Sequence, residues 1–206
     1  MRKPKVIVVS GVTAVVVYLA FTIAAYLHYP GAYGPLSNWL SDLGNPIDNP
    51  LGAVFYRWGC GLTAVFLLAF FAGLSRWYTG DRKMKILLVT AQIAGALSAV
   101  ALILTAIFPL GTQTDQHRFW SMMLYLLLGF FLTFSATSLL RHPAFARWVA
   151  YYGIATAVFN FVNGAILTAV IGDVYVGEWI SVGMFMVYVL ILANSSRAID
   201  APSHEA

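Results

Sequence analysis

The chain has 206 residues, 60% of them hydrophobic and only 10% charged, with a mean hydropathy of +0.79. Soluble domains carry about 25% charged and about 45–50% apolar residues, so a soluble globular domain, a disordered chain and a disulfide scaffold are excluded. The net charge of +4 and pI near 9.3 do not indicate nucleic acid, because Lys and Arg stand in short clusters between apolar runs and form no basic face.

Six apolar runs follow one another along the chain. Val6 to Leu27 comes first, closed by His28-Tyr29-Pro30. At 22 residues it exceeds the 7–15 of a signal h-region, and it reads as a retained span. The second run is Trp58 to Leu74, the third Ile86 to Phe108, the fourth Phe119 to Leu140, the fifth Trp148 to Ile171 and the sixth Trp179 to Ala193. With their flanks they predict spans over about 6–28, 52–75, 85–108, 118–140, 147–171 and 174–194. A span needs roughly 20 apolar residues. The sixth reaches that length only by starting near Val174, which places Glu178 inside it. The expected fold is therefore all-α, a single six-span membrane bundle over 1–206.

The Lys and Arg distribution sets the expected orientation. With the N-terminus cytoplasmic, Arg2, Lys3, Lys5, Arg76, Arg82, Lys83, Lys85, Arg141, Arg147 and Arg197 lie inside, and only Arg57 and Arg118 lie outside. Both termini are then cytoplasmic in a protein integral to the cell membrane. Asp42, Asp48, Asp115, Asp173 and Glu178 fall on the outer side, which concentrates the chemistry there.

The first outer loop, about Tyr29 to Leu51, carries its own pattern. Pro35 can start a helix and Gly44 can end one. Between them Leu36, Trp39, Leu40 and Leu43 recur at helical spacing, which predicts a short interfacial helix anchored by Trp39. In the second outer loop Asp115 and His117 stand at the head of span four. A histidine beside a carboxylate can act as a general base or proton relay; it is equally a solvated residue at a helix start. Glu178 inside a span needs a cavity, a cation or water, and Arg57, Arg118 and His117 are the candidates on its level. Asn160, Asn163 and Gln92 suit interhelical hydrogen bonds, and Gly59, Gly61, Ala64, Gly95, Ala96 and Ala99 suit close helix packing. Cys60, the one cysteine, reads as inert packing.

The polar set on the outer side is Ser41, Asp42, Arg57, Asp115, His117 and Glu178. No metal site and no cofactor are expected: only His28 could join His117 outside, short of a zinc set, and no histidine pair for haem lies within the spans.

The segment Trp39-Leu40-Ser41-Asp42-Leu43-Gly44-Asn45-Pro46, followed by Pro50, Phe55 and Arg57, resembles the first-loop motif of the damage-regulated autophagy modulator (DRAM) family and its Frag and Sfk relatives. Phe108-Pro109 at the end of span three and His117 opening span four are of the same type. The chain is similar to an uncharacterised prokaryotic six-span family, a domain of unknown function related to that group. The resemblance implies six helices with both termini inside and an outer loop packed over the bundle. It also implies a connection with membrane lipids. Ser41, Asp42, Gly44 and His117 match by motif, and no agreed catalytic residue carries over.

Three readings of function stay open. The first is an outward-facing polar pocket, formed by Ser41, Asp42, Arg57, His117 and Glu178, that binds or handles a lipid or amphipathic small molecule. The second is a membrane-embedded lipid hydrolase or acyl transferase using His117 with Asp115, Asp42 or Glu178. The third is a structural membrane protein acting through partners. Membrane lipids are the expected partners and nucleic acid is not; the oligomeric state is open.

Overall fold

A computed structural model describes residues 6–78, 81–163 and 174–199. The end of the fifth expected span, the loop residue Asp173, the basic residues Arg2, Lys3 and Lys5 and the tail beyond 199 lie outside the described residues. Among the described residues there are six α-helices and no strands: α1 (Val6–Leu27), α2 (Ala53–Gly73), α3 (Arg82–Ile107), α4 (Thr114–Leu139), α5 (Arg147–Phe161) and α6 (Tyr175–Ile199). A 3₁₀ turn, Leu74–Trp77, prolongs α2, and another covers Leu40–Gly44 in the loop after α1.

Five helices are long and apolar enough to cross a membrane: Val6–Leu27, Ala53–Trp77, Arg82–Ile107, Thr114–Leu139 and Tyr175–Ser196. The protein is membrane-embedded. Its helix faces agree with lipid as the solvent. On α1 Val9, Val16 and Ile23 are among the exposed positions, while Gly11, Ala14 and Tyr18 are buried. On α3, Ile86, Ile93, Leu97 and Val100 face outward, while Ala91, Ala94, Gly95 and Ser98 face inward. Small residues let backbones approach where burial of aliphatic surface supplies no driving force. A Cβ at Gly59 would lie 2.4 Å from Phe21 Cβ, and one at Gly95 would lie 2.6 Å from the Phe71 ring. Gly61, by contrast, faces open space.

The helices close into a ring. Each of α1 to α5 packs on its successor in the chain, and α6 packs on both α5 and α1. Polar side chains tie the ring together. Gln92 of α3 donates to the carbonyls of Phe71 and Ala72 at 2.8 and 3.1 Å and accepts from the Tyr78 hydroxyl. Asn160 of α5 donates to Tyr125 O of α4 at 2.7 Å, and Asn163 Nδ2 meets Ser181 Oγ of α6 at 3.5 Å. At mid-bundle the ring is filled by aromatic contacts: Phe71 against Phe131 at 4.7 Å, and Phe131 against Phe185 and Tyr188 at 6.3 Å each.

The loop after α1 folds back over one end of this ring. Its local structure is shorter than the expected interfacial helix. Leu36 is 84% exposed, the chain turns at Gly34 to Asn38, and only Leu40–Gly44 winds as a 3₁₀ turn. Leu40 and Leu43 are buried and Trp39 is half-buried, so Leu36 is the one residue of the apolar stripe left out of the packing. Asn49, fully buried, fastens the loop: it donates to Ala25 O at 3.2 Å and Leu43 O at 2.9 Å, and accepts from Gly52 N at 3.1 Å. The α3–α4 turn meets it through Gly111, whose φ of +82° suits glycine; a Cβ there would lie 2.2 Å from Asn45 Oδ1.

Candidate functional site

Beneath this folded loop the ring encloses a cavity of about 70 Å³ that is partly open to the exterior. All six helices and the loop contribute to its wall. At the loop end the lining is polar: Ser41 from the loop, Arg57 from α2, His117 from α4 and Glu178 from α6. Towards mid-bundle it becomes mainly apolar, with Leu67, Leu102, Leu128, Leu132 and Phe185 beside the polar Ser98 and Asn160.

Glu178 sits in the first turn of α6, beneath the loop. Its Oε2 accepts from the backbone N–H of Ser41 at 3.3 Å and from the Ser41 hydroxyl at 3.4 Å. The tilt of α6 against the loop is set next door: Trp179 Nε1 donates to Asn38 O at 3.0 Å, and its ring lies 5.6 Å from that of Tyr33. Trp39 stacks edge-on against Tyr175 at 5.1 Å.

Arg57 enters from the first turns of α2 and donates from Nε to Ala106 O at 2.7 Å. It therefore anchors α2 to the end of α3, and its expected ion pair with Glu178 is not the contact that forms. Arg118 is exposed.

His117 is buried although it lies in the first turn of α4. Its Nδ1 meets two carbonyl oxygens, Phe108 O at 2.9 Å and Thr105 O at 3.1 Å. Carbonyls only accept, so Nδ1 carries the proton. The neutral ring then keeps its lone pair on Nε2, the tautomer a general base requires. The Thr105 carbonyl is available because Pro109, four residues on, has no N–H to donate to it.

The two remaining candidates stand apart. Asp42 does not line the cavity; its Oδ2 accepts from Trp39 N at 2.9 Å and closes the 3₁₀ turn, with partial burial pushing its carboxyl above the usual range. Asp115 is exposed two residues before His117. The wall also holds residues that the sequence did not single out, above all Tyr18, Tyr56 and Tyr125. The Tyr18 and Tyr56 hydroxyls are 3.3 Å apart, and Tyr125 stands beside Glu178. Their signal was present: a tyrosine within a span needs a partner for its hydroxyl, by the same reasoning that drew attention to Glu178. Cys60 lines the same wall. Among the described residues no group of three or more His, Cys, Asp or Glu side chains could hold a metal ion.

A family model described as a protein of unknown function, DUF998, matches residues 12–195. No curated protein and no solved structure matches the chain.

Proposed function

The chain belongs to the DUF998 family of proteins of unknown function, and we propose that it is a six-span protein of the cell membrane whose outward-facing cavity binds a lipid or amphipathic small molecule. The observation that carries this reading is the gradient along the cavity wall. Ser41, Arg57, His117 and Glu178 ring one end, and Leu102, Leu128, Leu132 and Phe185 line the other. Ligand sites combine an apolar wall with a few placed polar groups, and this gradient matches a molecule with a polar head and an apolar body. The similarity of Trp39 to Pro46 to the first loop of the DRAM, Frag and Sfk group favours the same reading. So does the charge bias of the loops, which favours an outer position for the cavity and cytoplasmic termini.

The test is lipid mass spectrometry on protein purified in mild detergent, wild type against Leu128→Trp. The added indole fills the apolar wall and leaves the polar rim intact. Loss of a co-purifying amphiphile in the variant, at unchanged thermal stability, is expected. Equal lipid content in both proteins would overturn the proposal.

One observation favours a second reading, a lipid hydrolase or acyl transferase. The Nδ1 anchoring of His117 on two carbonyls leaves Nε2 as a base on the cavity wall. In that case His117→Gln abolishes turnover of a lipid ester while the lipid still binds; no turnover by the wild type would refute it.

A further inference from the structure

The cavity presents a carboxyl and a guanidinium that the protein does not pair with each other. Arg57 uses Nε on a backbone carbonyl, which leaves the two terminal Nη groups of the guanidinium. Glu178 receives two long hydrogen bonds on Oε2 from Ser41, with the Leu40 N–H and the Tyr125 hydroxyl also at its carboxyl, and none of these donors carries a charge. Among the described residues neither side chain forms an ion pair. An isolated charge in a membrane bundle is costly, and it is kept where a partner or a pathway needs it. Here one carboxylate and one guanidinium line the same cavity from α6 and α2, and each lacks a counter-charge.

A ligand that carries only a negative charge would satisfy Arg57 and be repelled by Glu178. One that carries only a positive charge would do the reverse. A single headgroup with both charges satisfies both. Resting on the reading of this cavity as an amphiphile site, we infer that its ligand is a zwitterionic lipid of the phosphoethanolamine class. The phosphate pairs with the guanidinium, whose fork of donors matches phosphate oxygens. The primary ammonium donates to Glu178 and to the hydroxyls around it, those of Ser41 and Tyr125. An ammonium has three donors and no acceptor, and this end of the cavity supplies acceptors. The adjoining chain follows the apolar wall of Leu102, Leu128 and Phe185.

The experiment varies the ligand before it varies the protein. Detergent-purified wild-type protein is titrated with dioleoyl phosphatidylethanolamine, with its N-acetylated form, and with dioleoyl phosphatidylglycerol, and bound lipid is counted by native mass spectrometry. N-acetylation removes the ammonium and keeps the phosphate. The ethanolamine lipid is expected to bind about tenfold more tightly than either of the others, the order of one charge-assisted hydrogen bond. Glu178→Gln should erase that preference, and Arg57→Gln should weaken the ethanolamine and glycerol lipids alike. If all three lipids bind wild type equally, the headgroup inference falls and the amphiphile site stands. If none binds, both fall. The ligand series decides the matter even if Glu178→Gln does not fold.

Discussion

Ser41 directs both its backbone N–H and its hydroxyl at one carboxylate oxygen of Glu178, a residue 137 positions further along the chain. This contact joins the loop over the cavity to the helix that completes the ring. Glu178→Gln keeps an acceptor and should cost about 1 kcal/mol, whereas Glu178→Ala orphans two donors and should cost about 2–3 kcal/mol. Thermal unfolding in detergent measures both. A double-mutant cycle with Ser41→Ala should show coupling above about 0.5 kcal/mol; additive effects would mean that the contact carries no weight.

Asn49 is the fastening of the loop. Its amide is fully buried and satisfies two carbonyls and one N–H. Asn49→Ala should destabilise by roughly 2–4 kcal/mol, since three backbone groups lose a partner. Gly52→Ala should be at least as harmful, because the new Cβ would lie 2.4 Å from the Asn49 amide and 2.5 Å from the backbone oxygen of Ala25. Protease cleavage between residues 30 and 50 should rise in both variants.

His142, in the connection between α4 and α5, should make stability pH-dependent at the opposite end of the bundle. Its Nε2–H donates to Trp77 O at 3.1 Å and its Nδ1 accepts from Ala144 N at 3.2 Å, an arrangement of the neutral ring. Partial burial holds its pKa below the ordinary value, against a smaller raising effect from the Trp77 carbonyl. The unfolded chain therefore takes up the proton first, and stability contributed by the neutral ring is present above about pH 6.5 and lost as pH falls towards the folded value. The difference in melting temperature between wild type and His142→Gln should shrink from pH 7.5 to 5.5; a constant difference would contradict this.

The orientation is open to direct labelling. Asp48, Gln113 and Ala144 are exposed, and the single native cysteine is buried. An impermeant thiol reagent applied to intact cells should label Asp48→Cys and Gln113→Cys and spare Ala144→Cys. The reverse pattern would invert the assignment from the Lys and Arg bias.

The sequence by itself determined that the chain is helical and membrane-embedded, and where five of the spans run to within a few residues. Hydropathy and loop charge are local properties, and lipid as a solvent reads them directly. It also placed Glu178 inside the last helix, because the apolar run was too short without it. Packing decided the rest. The stripe of Leu36, Trp39, Leu40 and Leu43 promised one helix, but a helix docked on that face was in competition with the turn at Gly34 to Asn38 and with Asn49 pulling Leu43 onto the end of α1. Leu36 was left outside. Asp42 and Glu178 were equal as acidic candidates in sequence, yet one closes a local turn and the other lines the cavity. Arg57 was assigned to Glu178 by level alone, but a carbonyl freed at the end of α3 lay nearer its Nε. The convergence of Ser41, Arg57, His117 and Glu178 depends on α6 closing the ring between α5 and α1. That closure joins residues far apart in the chain, and no local periodicity encodes it.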